Sequence, residues 1–290
     1  MELRNLRAFV EVVRQGGFSP AAKTLFTTQS NVSKSVRLLE DELDCLLLDR
    51  IGHRSTLTEA GTLVYQRALA MLAERSGMIE DLDALRGMRR GTLRLGLPPV
   101  GSDILFAPVV AQYRKRYPDI DIRLVEHGGT RLKDMVRAGE IDLAAALLPV
   151  PDDEFAWKPV RREPIDALLA ADHPLAKRKS LALAELAEVP FVLFEASFGL
   201  NQIVLDACAG SGFAPAIAMR SSQIDFLIEL IAVKLGVTFL PRMIARQRAH
   251  PAVRRIAITD PAMEWNIALI WRRGGRLPQA AQAWMALTGK

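Results

Sequence analysis

This chain of 290 residues is poor in the residue types that build metal sites, disulfides and membrane spans. Its two cysteines, Cys45 and Cys208, are far apart and fit no CxxC spacing, which favours free thiols in a reducing compartment. The four histidines are scattered without the spacing of metal ligands. The longest apolar run, residues 143–150, covers about eight residues and is too short to cross a bilayer. We therefore expect no disulfide, no metal site and no membrane segment.

Catalytic signatures are missing as well. The chain contains no P-loop, no HExxH, no GxSxG and no GxGxxG after the first strand predicted in its C-terminal part. We therefore expect no catalytic residues and no cofactor, and an enzyme is the less favoured alternative. The sequence begins Met-Glu-Leu-Arg without an apolar signal segment, so we expect a cytoplasmic protein rather than an exported solute receptor.

The net charge of +5 is a weak guide to partners, because the charges are unevenly spread. Residues 1–58 hold eight lysines and arginines against seven acidic residues, a net charge of only +1. Much of the excess lies near residues 86–94, 177–179 and 242–276. The positions of individual charges are therefore more informative than their sum.

The most informative segment runs from residue 17 to residue 61. Its pattern predicts two short helices separated by a polar turn and followed by a hydroxyl-rich wing. Val32, Val36 and Leu39 recur at spacings of four and three, so they define the inner face of the second helix. Small, polar or basic side chains fall on its outer face, as a helix that enters the major groove requires. The segment therefore predicts a winged helix-turn-helix that binds double-stranded DNA.

We predict DNA contacts from both the recognition helix and the wing. Short polar groups near the helix N-terminus reach deepest into the groove, and cations either read guanine or clamp phosphate. The predicted contacts are Gln29, Ser30, Ser33, Lys34 and Arg37 on the helix, and Arg50, His53, Arg54 and Thr56 on the wing. Thr27 or Thr28 is expected to cap the helix. The acidic residues between 40 and 44 are expected to face away from phosphate.

These motifs resemble the N-terminal domain of the LysR-type transcriptional regulators. The similarity runs in order through residues 3–9, 21–22, 29–40 and 57–61. It departs at Ser30, Asp44 and Leu48, where the family usually has proline, glycine and phenylalanine. The resemblance covers essentially the whole chain and is strongest up to about residue 90. It implies a DNA-binding regulator with a linker helix and an effector-binding domain, which self-associates and acts on RNA polymerase.

The segment 59–90 is predicted to form the linker helix and a hinge. Thr58 should cap a helix that runs to about residue 86. Apolar residues recur at heptad-like spacing, and Arg75 interrupts the seam formed by Val64, Ala68, Met71, Arg75, Met78, Leu82 and Leu85. So long an amphipathic helix cannot bury its stripe on a small domain, so we expect a dimer or tetramer and an operator with approximate dyad symmetry. The alternative is a helix that packs on its own effector domain.

From residue 92 onwards, strands and helices alternate. The first part reads as βαβαβ, which predicts a parallel sheet covered by helices. A second α/β set follows, and the chain returns late to the first. This pattern resembles the bilobal type II periplasmic-binding-protein architecture of the family. We predict an α+β multidomain protein with a DNA-binding domain at 1–58, a linker at 59–90 and an effector-binding domain at 91–290. Lobe 1 would cover about 91–160 and 266–290, and lobe 2 about 161–265.

The topology places the effector site between the lobes, at the carboxyl ends of strands. Hydroxyls, an amide, glycines and helix N-termini meet there, a combination that suits a small organic acid. The predicted contacts are Pro99, Val100, Gly101, Ser102, Gly129, Thr130, Ser197, Phe198, Asn201, Ser222 and Gln223. Each of them could also serve only to cap a helix. His127 is the one histidine considered as a pH-sensitive ligand contact.

A redox-sensing regulator of the same architecture is a further alternative. It needs two thiols close together in the effector domain, where only Cys208 lies.

Overall fold

The structure, a computed structural model, describes residues 1–51, 54–85, 91–275 and 277–288, with only the backbone described at residues 50, 51, 54, 55, 80, 81 and 83–85. The helices are α1 (Leu3–Gln15), α2 (Phe18–Thr24), α3 (Gln29–Leu43), α4 (Glu59–Leu85), α5 (Ser102–Arg116), α6 (Gly129–Arg137), α7 (Gly199–Gly210), α8 (Ile224–Ala232), α9 (Arg242–Gln247) and α10 (Gln279–Leu287). The strands are β1 (Leu48–Ile51), β2 (Arg54–Leu57), β3 (Gly91–Leu97), β4 (Ile120–Glu126), β5 (Leu143–Leu147), β6 (Phe155–Ala170), β7 (Ser180–Ala182), β8 (Phe191–Phe194), β9 (Ile217–Ser221), β10 (Thr238–Pro241), β11 (Val253–Asp260) and β12 (Glu264–Arg272). Within the described residues, no helix is both long enough and apolar enough to cross a membrane.

The N-terminal domain packs α1, α2 and α3 around one hydrophobic core. Phe9 of α1 and the predicted inner-face residues Val32, Val36 and Leu39 of α3 are at most 1% exposed, which confirms the predicted helix orientation. Strands β1 and β2 form the wing as an antiparallel pair, with Leu48 opposite Leu57. The predicted winged helix-turn-helix is therefore present.

Helix α4 follows the wing and spans 27 residues, roughly 40 Å at the helical rise. The hydroxyl of Thr58 accepts the N–H of Gly61 at 2.8 Å, which confirms the predicted cap. The predicted seam is divided, because Ala68 is only 1% exposed within the core of the DNA-binding domain. Further along, Met71, Met78 and Leu82 are 44%, 57% and 46% exposed. The later turns therefore carry an uncovered apolar stripe.

The end of α6 contacts both α4 and the DNA-binding domain. Ala138, the C-cap of α6, lies in the same buried cluster as Phe9 and Leu69. Just beyond it, Glu140 accepts a hydrogen bond from the hydroxyl of Tyr65 in α4 at 3.3 Å. The Tyr65 ring lies edge-on to Phe9, with 6.3 Å between ring centroids. The alternative of a linker helix packed on its own effector domain thus describes this part of α4.

The C-terminal domain has two lobes joined by a continuous path of strands. The strand order is β4-β3-β5-β12-β6-β11-β7, and β10 also pairs with β6. Strand β3 pairs in parallel with β4 and β5, which confirms the predicted βαβαβ unit of lobe 1. In lobe 2, β8 and β9 form a separate parallel pair. The predicted mixed architecture with two α/β lobes is confirmed.

Strand β6 joins the lobes. The apolar run at residues 165–170 predicts a strand by itself, but β6 already begins at Phe155. Up to Pro164 it pairs with β12, and from Ile165 it pairs with β10 and β11. Two prolines and several charged residues concealed its first half, since proline cannot donate to a strand ladder. Pro159 is accommodated at a register shift opposite Ile267 and Ala268.

An ion-pair cluster also connects the lobes. Arg248, which follows α9 in lobe 2, contacts Asp103 in the first turn of α5 at 2.6 Å and Asp225 in the first turn of α8 at 2.5 Å. Because Asp103 belongs to lobe 1, the guanidinium bridges the starts of two helices from different lobes. This bridge lies beside several of the predicted effector residues.

Candidate DNA surface and effector cavity

The recognition helix α3 has a side-chain cap supplied by the preceding turn. The hydroxyl of Thr28 accepts the N–H of Asn31 at 3.2 Å, and the Asn31 amide donates to the hydroxyl of Thr27 at 3.1 Å. Of the two predicted residues, Thr28 is therefore the N-cap of α3. Its hydrogen bond fixes the first turn, from which Gln29 and Ser30 project into solvent.

The outer face of α3 brings the predicted helix contacts together. Gln29, Ser30, Lys34 and Arg37 are exposed, and Ser33 is half-buried. Neither Lys34 nor Arg37 forms an ion pair with any residue that the structure describes. Both cations are therefore free to reach phosphate or base edges, since no carboxylate of the described residues competes for them.

Helix α1 adds positive charge beside this face. A hollow of about 460 Å³ lies between α1 and α3, and Arg4, Arg7, Asn31 and Lys34 line it. Local sequence patterns do not assign Arg4, Arg7 or Asn31 to the surface, because the proximity of these residues to Lys34 depends on how α1 packs against α3. The basic surface is thus wider than the recognition helix alone.

The wing is only partly described. Thr56 is exposed and lies opposite Asp49 in the β1–β2 pair. Arg50 and Arg54 occupy the two wing strands, but their side chains are not described, and His53 lies outside the described residues. DNA contact by these wing residues stays a prediction.

Glu40, at the end of the recognition helix, has an internal structural role. Its side chain is 6% exposed, and its carboxylate accepts the N–H groups of Leu47 at 2.9 Å and Leu48 at 3.3 Å. These hydrogen bonds hold the start of the wing against the end of α3. The charge consequently points inward and away from the outer face of the recognition helix, as predicted.

A cavity of about 260 Å³ lies between the lobes. It is lined by the loop after β3, the first turns of α6 and α7, the end of β5 and one residue of β12. The lining includes Pro98, Pro99, Val100, Gly128, Gly129, Thr130, Lys133, Leu147, Ser197, Phe198, Gly199, Leu200, Gln202 and Trp265. Six predicted residues meet here, namely Pro99, Val100, Gly129, Thr130, Ser197 and Phe198. The cavity lies at the carboxyl ends of parallel strands, the place that the topology indicated.

Two helix N-termini face this cavity from opposite lobes. Neither the N-cap of α6 nor that of α7 supplies a capping side chain. The N–H groups of Gly129, Thr130, Gly199 and Leu200 find no acceptor among the described residues. Free N–H groups at a helix N-terminus attract anions, and the helix dipole adds to the attraction. The electrostatic potential of these helix N-termini therefore favours an anion in the cavity.

Five predicted effector residues lie outside the cavity lining, and hydrogen bonds within the protein explain two of them. The five are Gly101, Ser102, Asn201, Ser222 and Gln223. Ser102 is 7% exposed, and its hydroxyl donates to the Pro98 carbonyl. The Asn201 amide is 3% exposed and bonds the backbone of Phe194 and Glu195. Both side chains therefore stabilise the loops behind the cavity.

The other three lie in the turns that precede α5 and α8. Gly101 adopts a left-handed φ of 85°, and a Cβ atom there would lie 2.9 Å from the ring of Trp265. Glycine is therefore required here because the turn passes close to an aromatic ring. Ser222 and Gln223 precede α8, whose first turn is engaged by Arg248.

Two family models match this chain and together span nearly all of it. Residues 3–62 match the bacterial regulatory helix-turn-helix protein of the lysR family, and residues 86–289 match the LysR substrate binding domain. The chain belongs to the LysR family. It is a DNA-binding transcriptional regulator with an effector-binding domain and not an enzyme, as the sequence predicted.

Relatives within the LysR family are similar over almost their whole length. The chain is 32% identical to the regulator YwbI of Bacillus subtilis, over 99% of this chain and 96% of the relative. It is 31% identical to the transcriptional dual regulator GltC of the same organism, over 97% and 94%. Among solved structures, a full-length OxyR variant from Pseudomonas aeruginosa is similar with a TM-score of 0.81 and 25% identity, covering 99% of this chain and 94% of that one.

Several lining residues of this LysR-type cavity were missed by the sequence analysis. Lys133 lies one turn into α6, Trp265 comes from the late strand β12, and Gln202 projects from α7. A spacing of three to four from Gly129 and Thr130 could have indicated Lys133, since it shares their helix face. Trp265 carries no such local signal, because β12 reaches the cavity only through its pairing with β5 and β6.

The remaining titratable candidates do not reach the cavity. His127 is exposed and is not part of the lining. Cys208 is fully buried in α7, and burial raises the pKa of its thiol to about 11. At neutral pH this thiol is therefore protonated and shielded, which opposes redox chemistry.

Proposed function

We propose that this LysR-type regulator binds a small organic anion between its two lobes, and that the anion changes how a self-associated protein binds its operator. The observation that carries the proposal is the set of free N–H groups at the N-termini of α6 and α7. They face one cavity from opposite lobes. An anion that satisfies both sets would hold the lobes together, so binding favours a closed form.

The proposed DNA contacts are those of the sequence analysis. Gln29, Ser30 and Ser33 would read base edges, while Lys34 and Arg37 would bind phosphate or guanine. The wing residues Arg50, His53, Arg54 and Thr56 would contact the backbone or the minor groove.

The proposed assembly is a dimer or a dimer of dimers. The exposed stripe of Met71, Met78 and Leu82 on α4 supports self-association, because it is apolar and uncovered in the single chain. Two recognition helices would then occupy two half-sites, with approximate dyad symmetry in the operator. Recruitment of RNA polymerase and action in the cytoplasm, where operator DNA lies, complete this proposal.

Redox sensing is the less supported alternative. It would require a reactive thiol, but Cys208 is the single cysteine of residues 91–290 and is fully buried with a raised pKa. Cys45 lies in the DNA-binding domain, far along the chain from Cys208. The small-anion proposal needs no such thiol.

The decisive experiment removes one N–H group from the cavity. Gly129 is the first residue of α6, and the preceding Gly128 has φ −62° and ψ 155°, a conformation that suits the residue before proline. Gly129→Pro therefore deletes an N–H group without breaking the helix. Gly129→Ala is the matched control, because a Cβ atom there meets nothing within 4 Å and the N–H is kept.

The readout is isothermal calorimetry with a panel of small carboxylates and their uncharged amides. We expect wild type and Gly129→Ala to bind a carboxylate with equal affinity, and Gly129→Pro to bind it about tenfold more weakly. Equal affinity of all three proteins would refute the role of this N-terminus. Failure of every carboxylate to bind wild type would refute the anion proposal as a whole.

A further inference from the structure

We infer that Lys133 selects the effector by charge, so that the cavity accepts a monocarboxylate with a compact apolar body and rejects ligands that carry an ammonium group. This inference rests on the proposed function, because it concerns the same cavity. It adds a specificity-determining residue and a narrower ligand class.

Lys133 is the one charged side chain among the described residues that line the cavity. It is half-buried, and it makes no hydrogen bond or ion pair with the described residues. The nearby carboxylates of its own helix are engaged elsewhere. Asp134 pairs with Arg137 at 2.6 Å, and Glu140, beyond the helix end, lies 3.5 Å from Arg131. An incoming carboxylate is therefore the partner that this half-buried lysine side chain lacks.

An ammonium group on the ligand would find no counter-charge. No aspartate or glutamate of the described chain lines the cavity. The polar side chains of the lining are the hydroxyls of Thr130 and Ser197 and the amide of Gln202, whose N–H already donates to Asp206 at 2.6 Å, and they offer dipoles only. Moving an ammonium group from water into such a site is costly without an anionic partner, and Lys133 would repel it. Amino acids and polyamines should consequently bind poorly.

The rest of the cavity wall is apolar, and its two aromatic rings are fixed by packing. Phe198 stacks on Phe194 with 5.0 Å between ring centroids and an interplanar angle of 10°. Trp265 is 1% exposed, and its ring is backed by the close turn at Gly101. Neither ring can move aside easily, since each is packed against another part of the protein. With a single cationic side chain in the described lining and two aromatic rings beside it, the cavity suits a monocarboxylate better than a dicarboxylate.

The experiment compares ligands that differ mainly in charge. The probes are 3-phenylpropionate, its uncharged amide, phenylalanine and the dicarboxylate butanedioate, supplemented with straight-chain and branched monocarboxylates. Calorimetry is performed on wild type, Lys133→Met and the control Lys115→Met, whose lysine is exposed on α5. Methionine keeps an unbranched apolar chain, and circular dichroism verifies that each variant is folded.

For wild type we expect a monocarboxylate to bind at least tenfold more tightly than its amide, and at least tenfold more tightly than phenylalanine or butanedioate. Lys133→Met should lose about tenfold for the carboxylate and keep its affinity for the amide. Lys115→Met should match wild type for every ligand.

Each contrary result identifies what is wrong. An unchanged carboxylate-to-amide ratio in Lys133→Met overturns the role of Lys133 but leaves the anion cavity standing. Equal or tighter binding of phenylalanine or butanedioate overturns the ligand class alone. If no carboxylate binds wild type, both this inference and the proposed function fail.

Discussion

The DNA surface and the effector cavity both depend on helix N-termini, but only the helix N-terminus at the DNA surface carries a side-chain cap. The recognition helix α3 is capped by Thr28, whose hydroxyl accepts the N–H of Asn31. Helices α6 and α7 have no capping side chain, and their first N–H groups open into the cavity. At the capped N-terminus the side chains are the groups that contact DNA. At an uncapped N-terminus the free backbone N–H groups can bind a ligand directly.

The two regions also differ in how the chain assembles them. The DNA surface comes mainly from one continuous segment, while the cavity combines five separate segments between residues 98 and 265. Damage to a single segment should therefore abolish one activity and spare the other. Substitutions in each region test this separation.

The largest expected effect comes from Gly61→Ala at the junction of wing and linker helix. An added Cβ atom would lie 1.9 Å from the Leu47 carbonyl oxygen, so the backbone must shift. We expect a loss of stability on the order of 3 kcal/mol in the DNA-binding domain and loss of operator binding, with carboxylate binding retained. Thermal unfolding, fluorescence anisotropy with operator DNA and calorimetry measure the three properties.

Gly77→Ala is the control for that substitution. Gly77 lies in the same helix, and a Cβ atom there meets nothing within 4 Å. This variant should be as stable as wild type or slightly more stable, since alanine favours a helix. Equal damage from both substitutions would show that the junction at Leu47 is not the cause.

Arg37→Ala should have the next largest effect, confined to DNA. Its exposed guanidinium has no ion-pair partner in the described chain, so its loss removes a DNA contact without disturbing the core. We expect operator binding to weaken by about 1–3 kcal/mol if Arg37 reads guanine. If it contacts phosphate, the salt slope of binding should fall by about 1. Anisotropy titrations at several salt concentrations distinguish these cases, with Lys115→Ala as the control.

Gly128→Ala is the corresponding test of the cavity. An added Cβ atom would lie 2.7 Å from the Ser197 carbonyl oxygen of the opposite lobe, which should force the lobes apart. The φ of −62° suits alanine, so the helix should survive. We expect about tenfold weaker carboxylate binding, or ~1.4 kcal/mol, with the DNA affinity of the ligand-free protein retained. Unchanged ligand affinity would mean that the lobes close without this contact.

The titration of Cys208 should matter least, because it affects stability only at alkaline pH. Burial raises the pKa of its thiol from 9.0 to about 11 in the folded protein. Between these values the unfolded chain has already lost the proton, so stability should be complete below pH 9 and should fall as the pH rises towards 11. Cys208→Ala should flatten this decline in urea unfolding at pH 8 and pH 10. A steeper decline in the variant would contradict the assignment.

Local patterns were sufficient to predict the DNA-binding domain. The buried face of Val32, Val36 and Leu39 and the caps at Thr28 and Thr58 follow from contacts within a few residues or one helix turn. Most strands and helices of the lobes were also located, because their apolar runs are bounded by glycine and proline.

The cavity was less predictable because its lining depends on pairing between distant strands. Trp265 reaches the cavity through the position of β12 between β5 and β6, which no local pattern reveals. Ser102 and Asn201 carry polar groups of the right type, but backbone carbonyls and amides inside the protein engage them first. Chemistry alone could not separate a side chain that stabilises a loop from one that lines the site.

The position of helix α6 between the cavity and the DNA-binding domain has a mechanical consequence. It is nine residues long, about 13 Å at the helical rise, and as a rigid element it can act as a short lever between the cavity and the DNA-binding domain. Its first turn borders the cavity, while Ala138 at its other end is embedded with Phe9 in the core beneath the recognition helix. Any ligand that tilts this lever does work on the DNA-binding domain of the same chain. By reciprocity, operator DNA must then change effector affinity by the same factor as the effector changes DNA affinity.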